Sequence, residues 1–202
     1  MIRSKQELDF YIKADYMMNR GNFKPTLKQR IKNLFAPDYI MQYLKAMRKV
    51  SYYKSSGGGI LLIINKMRFN RLGVKLGFSI GVDVFGYGLV IPHYGTIVVG
   101  DNNRCGNYCV LHTSTCITGN GKTIGNAFYL AIGAKVTSKI SIGDNVSVGA
   151  NSVVNKSFDS NMMIAGTPAY YIKPMDAWYI RDGQDYTHKV EAVELLRRKM
   201  QL

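Results

Sequence analysis

Histidine is the side chain that exchanges a proton near neutral pH without help from its surroundings, and the chain has three: His93, His112 and His188. A neutral imidazole beside a hydroxyl can accept its proton as a new bond to the oxygen forms, which turns a weak alcohol nucleophile into a competent one. A lone histidine is more often structural, so residue type alone does not choose among the three. Cys105, Cys109 and Cys116 fall within twelve residues. Their odd number and their spacing match no zinc pattern, and no metal site is expected. They read as reduced thiols packed as small apolar side chains. Lys and Arg total 27 against 13 Asp and Glu, a net charge of +14. Such a charge points to an anionic partner, whether nucleic acid, a membrane surface or a phosphorylated small molecule.

The elements that must hold these groups divide the chain in three. Residues 1–76 show helical apolar spacing at Leu8, Tyr11 and Ile12 and again at Ile40, Tyr43, Leu44 and Met47. Ser4 and Glu7 have the spacing of a capping box. Gly21, Pro25 and Gly57-Gly58-Gly59 punctuate three or four helices that end near Gly73 or Gly77. Residues 77–175 repeat every six. Ile124, Leu130, Val136, Ile142, Val148 and Val154 form one series, all aliphatic; Val99, Cys105, Leu111 and Ile117 form a second series, one residue out of phase across 118–123. Each series position is expected to point to the axis of a solenoid with flat faces, and a small residue four places on (Cys109, Thr115, Ala134, Val146, Ser152) to turn inward with it. The phase break is expected to be a loop that leaves the coil. Residues 176–202 carry Val190, Val193, Leu196 and Met200 at amphipathic spacing, and the helix they predict is expected to cap the open end of the coil. The most apolar run, Ile60 to Ile64, falls far short of the roughly 20 residues that span a bilayer. The N-terminus shows no secretory pattern, so a cytoplasmic protein is expected.

With the repeat in view, two stretches carry a resemblance. Ile91-Pro92-His93-Tyr94-Gly95-Thr96-Ile97-Val98-Val99-Gly100 is similar to the active-site segment of serine O-acetyltransferases. Gly149-Ala150-Asn151-Ser152-Val153-Val154 and Ala165-Gly166-Thr167-Pro168-Ala169 resemble the end of the coil in hexapeptide-repeat acyltransferases. The resemblance covers about 77–175. It implies a left-handed parallel β-helix, a homotrimer with sites in the clefts between coils, and direct acetyl transfer from acetyl-CoA to a hydroxyl.

It also assigns roles. His93 matches the family's base. Tyr94, His112 and Asp15 become acceptor-side candidates, although His112 can equally decorate a coil face and Asp15 can be a solvated helix residue. Gly119 is placed as an oxyanion donor. Ile132 and Ala150 match positions along the pantetheine arm, and Thr167 and Lys173 the nucleotide end, with Lys122 and Lys156 as further phosphate candidates. The carboxylate that orients the family's base lies fifteen residues before it, where this chain has Phe78. Asp83, Asp101 or a backbone carbonyl is left to substitute. The family's carboxylate-gripping Arg and His are missing from Thr118 to Thr123. A sugar hydroxyl of a surface polysaccharide or its precursor is therefore the expected acceptor, with L-serine as the alternative and a non-catalytic scaffold as the rival from another class. The basic residues cluster in 1–76 without a nucleic-acid motif, so nucleic acid is set aside. Contact with the inner face of a negative membrane explains the charge instead.

Overall fold

A computed structural model of the chain describes residues 1–180 and 185–202. The N-terminal part forms α1 (Lys5–Arg20), α2 (Leu27–Phe35), α3 (Tyr39–Ser55) and α4 (Gly59–Leu76). Their starts are written in the sequence. Ser4 and Glu7 cap α1 reciprocally, Thr26 and Gln29 do the same for α2, and the Asp38 carboxylate accepts from the Met41 N–H at α3. Each pairing satisfies N–H groups that the first turn leaves without partners. The helices α1 and α4 stop at Gly21 and Gly77, both in the left-handed conformation.

Residues 78–166 then wind as a coil of parallel strands. One face is the five-stranded sheet Phe78–Ile80, Ile97–Val99, Thr115–Ile117, Lys135–Val136 and Val153–Val154. A second face holds Arg104–Cys105, Thr123–Ile124 and Ser141–Ile142. The third holds Val110–Leu111, Tyr129–Leu130, Val146–Val148 and Met162–Gly166, closed by the antiparallel strand Ala169–Pro174.

The register stacks the six-residue series into interior columns. Ile80, Val99, Ile117, Val136 and Val154 line the first face. Cys105, Ile124 and Ile142 line the second, with Phe85 and Phe158 bridging on at its ends. Leu111, Leu130, Val148 and Ile164 line the third. All but Phe158 are buried, as are Cys109, Thr115, Ala134, Val146 and Ser152 four places on. Each fully buried aliphatic side chain contributes roughly 1.5–3 kcal/mol, so the pattern itself drives the winding.

Two expectations are corrected. The phase break does not leave the coil. The corner from first face to second runs over 118–123, one residue longer than its neighbours at 100–104 and 137–141. Lys122 ties it shut: its side chain is buried, and its ammonium donates to the Thr118 carbonyl at 2.6 Å and the Thr118 hydroxyl at 2.8 Å. The C-terminal helix α5 (Thr187–Lys199) does not cap the open end. It lies against α1 and the side of the first two turns. There Glu194 accepts from the Tyr87 hydroxyl at 2.7 Å and the Tyr108 hydroxyl at 2.6 Å, and Val193 is buried with Phe10, Met17, Ala127 and Trp178. Buried apolar area and two hydroxyl donors at the coil's side offer α5 more than the coil end does. The last strand of the third face, Met162–Gly166, is covered along its edge by Ala169–Pro174 instead.

Candidate active site

His93 stands on the corner that joins the third face to the first. Between the interior columns, the later corners hold three residues each, 112–114, 131–133 and 149–151. The His93 corner holds five, 92–96, because Val90 bridges Val110 while Ile97 pairs Thr115. The two extra residues push the corner outward, and both His93 and Tyr94 are exposed.

The corner is clamped at both ends. On its upstream side α1 presents Asp15 and Asn19, one helical turn apart. The Asp15 carboxylate accepts from the Leu89 N–H at 3.0 Å, and the Asn19 amide both donates to the Leu89 carbonyl at 2.8 Å and accepts from the Ile91 N–H at 3.1 Å. Asp15 is itself held by Arg48 of α3, Nε to Oδ2 at 2.8 Å and Nη2 to Oδ1 at 3.1 Å. Arg48 also donates to the Phe85 and Gly86 carbonyls at 2.8 and 2.6 Å. Both side chains are buried. Burial pushes the Asp15 carboxyl up, and the Arg48 guanidinium pulls it back. On the downstream side the Gly95 and Ile97 N–H groups donate to the Leu76 and Gly77 carbonyls at the end of α4, at 2.9 and 3.0 Å. Gly95 has φ +131°, and a Cβ there would lie 2.1 Å from the Thr113 hydroxyl, so only glycine fits this packing.

Asp15 is thus neither an acceptor-side group nor a solvated helix residue. It is the buried bolt between the helices and the segment 89–91 leading to His93. Asn19 and Arg48 share that work and were not singled out from the sequence. The signal was present in part: Asp15 and Asn19 have i, i+4 spacing on one face of α1, but nothing in the sequence names Leu89 and Ile91 as their partners.

The His93 ring faces His112, with centroids 6.4 Å apart, and the His112 ring lies 5.0 Å from that of Tyr129. His112 lines a cleft of about 490 Å³ between α1, the third face and the C-terminal segment. Pro92, beside His93, reaches its rim, Tyr129, Trp178 and Tyr186 contribute rings, and Arg20 and Lys189 contribute cations. Among the described residues no carboxylate hydrogen-bonds His93. Asp83 accepts instead from the Ser51 hydroxyl and sits 3.6 Å from the N-terminal ammonium, and Asp101 is exposed at the other end of the Ile97–Val99 strand. His188 is exposed on α5.

The remaining sites fall on two different edges of the coil. His93, Ile132, Ala150 and Gly166 each lie two residues past a third-face interior position, Ile91, Leu130, Val148 and Ile164 respectively. They therefore form one file, with Thr167 beside it. At about 4.8 Å per turn, Ala150 stands roughly 14 Å along that edge from His93. Ile132, Ala150, Thr167 and Lys173 are all exposed. Gly119, Lys122 and Lys156 lie on the next edge, at the far end of the first face. Gly119 packs so closely beneath Gly100 that a Cβ on Gly100 would sit 2.3 Å from its Cα. Lys122 is turned inward, and burial pulls its ammonium down, so it presents no cation to a phosphate. Lys156 is exposed, 5.5 Å from the Phe158 ring centroid. The thiols of Cys105 and Cys109 are buried, which pushes both up, that of Cys109 to about 12. Cys116 is half-buried on the first face.

No family model matches the chain. A serine acetyltransferase of Synechococcus elongatus is 34% identical over 94 residues, which are 43% of this chain and 38% of the relative. One of Staphylococcus aureus is 30% identical over 128 residues, 60% of this chain and 56% of the relative. The chain thus spans between about two fifths and three fifths of the length of these curated relatives. The crystal structure of a serine acetyltransferase in complex with coenzyme A from Brucella abortus superposes on 84% of this chain and 68% of its own with a TM-score of 0.63 at 20% identity, a likeness of fold.

Proposed function

We propose that this chain, whose coil is a serine acetyltransferase-like hexapeptide-repeat β-helix, transfers the acetyl group of acetyl-CoA to a hydroxyl with His93 as the base. The observation that carries the reading is the lengthened corner, clamped by α1 and α4, that exposes His93 with its ring centroid 6.4 Å from that of His112, a residue lining the cleft. The His93 imidazole takes the hydroxyl proton as the oxygen attacks the thioester carbonyl. The tetrahedral oxyanion then collapses, the carbon–sulfur bond breaks, and the imidazolium returns the proton to the departing thiolate. The file from His93 through Ile132 and Ala150 to Thr167 is an exposed edge on which an extended pantetheine arm can lie against backbone groups, with Lys173 near its end for the nucleotide phosphates.

Gly119 and Lys156 stand on the far edge of the first face, so they reach this donor only across a boundary between copies. That supports a homotrimer in which one copy's His93 edge meets the next copy's Gly119 edge, where the Gly119 N–H receives the oxyanion. Use of acetyl-CoA would go with a cytoplasmic location.

L-serine is the acceptor that the comparisons support, since the relatives named above are serine acetyltransferases. A second reading, a sugar hydroxyl, is favoured by the cleft. Its lining includes the rings of Tyr129, Trp178 and Tyr186 beside the cations Arg20 and Lys189, and the 118–123 corner contains no Arg or His to grip a free carboxylate.

Thiol release from acetyl-CoA, followed with serine and with a panel of sugars and nucleotide sugars, tests both readings. His93→Ala is expected to lower kcat/KM by about 10²–10⁴ while leaving CoA binding intact. Turnover unchanged in His93→Ala would remove the proposed base, and release with sugars but not serine would decide for the second acceptor.

A further inference from the structure

The charge of the chain is not spread evenly. Residues 1–76 hold 16 Lys and Arg against 4 Asp and Glu, a net +12 of the total +14. Between Asp15 and Asp38 there is no acidic residue, Asp15 is consumed by Arg48, and Asp38 by Arg20 at 2.6 Å. In the middle of this stretch lies α2. Its reciprocal cap makes it a well-formed helix, yet none of its nine residues is buried. Leu27, Ile31 and Leu34 follow a spacing of four and three and so share one face, with Phe35 beside them. They are 75%, 53%, 77% and 86% exposed. Lys28, Arg30 and Lys32 flank them, with Lys24 just upstream.

We infer that α2 is an interfacial anchor that lays its apolar stripe into the headgroup region of an anionic lipid bilayer, with these basic residues facing lipid phosphates and carboxylates. A helix of this design lies on a membrane rather than across it, and among the described residues no helix is long and apolar enough to cross one. A second copy of the chain is the poorer occupant, because it would bring Lys24, Lys28, Arg30 and Lys32 against their like. A nucleic acid would answer the charge but not the apolar stripe. Arg20 lines both the His112 cleft and the groove beside α2 that Gln29, Lys32 and Asn33 form, so docking would place the cleft near the lipid surface. The inference does not depend on the reaction proposed above, and its test does not read activity.

The test is co-sedimentation of the full chain with vesicles of phosphatidylcholine alone and of phosphatidylcholine with phosphatidylserine. Binding is expected to the anionic vesicles only, and to fall at least about tenfold when salt shortens the screening length. The Leu34→Glu/Phe35→Glu variant, which alters exposed side chains alone, is expected to melt like the parent and to lose binding. Three results would overturn the inference: no sedimentation at low salt, equal sedimentation of the variant, or a solution mass that drops in the variant, which would assign the stripe to a second copy.

Discussion

The clearest quantitative test of how the helices position the site is removal of the Arg48 side chain. Arg48 makes four hydrogen bonds, two to the Asp15 carboxylate and one each to the Phe85 and Gly86 carbonyls. Arg48→Met keeps most of the aliphatic volume but leaves a buried carboxylate without its counter-charge. Breaking a buried pair in this way costs roughly 3–5 kcal/mol. At about 2–4 °C per kcal/mol for a chain of this size, the melting temperature should fall by roughly 6–20 °C. Thermal unfolding followed by circular dichroism measures it. The companion is Asp15→Asn/Arg48→Met, in which the amide oxygen still accepts from the Leu89 N–H while no charge is stranded. If the penalty comes from the stranded carboxylate, the double variant recovers at least half of the loss, and the two substitutions are strongly non-additive. A single variant that melts within about 2 °C of the parent, or a double variant at the additive sum, would refute the reasoning. In the first case the pair would be far better solvated than its burial implies, and in the second Arg48 would act through the Phe85 and Gly86 carbonyls alone.

Two further outcomes follow from the same geometry. Burial pushes the Glu194 carboxyl up, but the hydrogen bonds from Tyr108, Arg197 and Tyr87 outweigh it and hold the group below its ordinary value. The contribution of Glu194 to the docking of α5 is therefore fully present above the unfolded carboxyl pKa, about 4.3, and is lost as pH falls through the lower folded value. The fluorescence of Trp178, the chain's one tryptophan, packed in the same cluster as Val193, should be flat through neutrality and change in the acid range. Glu194→Gln should abolish that dependence, and an identical acid transition in the variant would show that another group is responsible. At the His93 corner, Gly95→Ala meets both a φ of +131° and the Thr113 hydroxyl at 2.1 Å. A stability loss of about 1–3 kcal/mol is expected, together with a larger fall in turnover, because the strain acts on the corner itself. Adding Thr113→Ala should return part of both losses, and full activity in Gly95→Ala alone would show the corner to be free to shift.

Much of the coil was legible because one physical rule writes it. An aliphatic side chain every sixth residue must face the axis, and each such position from Val99 to Val154 is buried. The helix starts were legible for the same reason, since capping is local and Ser4 reads Glu7 without reference to the rest of the chain. What the sequence left unread is long-range. Lys122 looked like a surface cation until the one-residue insertion at 118–123 was seen to fold its ammonium onto Thr118. The helix α5 showed its apolar stripe but not its destination, which depends on two tyrosine hydroxyls 86 and 107 residues away from Glu194 in sequence. The site divides along the same line. The segment around His93 was readable as a motif. Its two clamps, and the separation of Ile132, Ala150 and Thr167 from Gly119 and Lys156 onto different edges, depend on how many residues each corner holds. A six-residue period hides those numbers, because a corner longer by one or two shifts the phase without changing the residue types. Corner lengths rather than motifs therefore separate the proposed base from the proposed oxyanion donor: the two flank one face, and a strand of three residues with its turns is too long for either to reach the other's reacting atom within one chain.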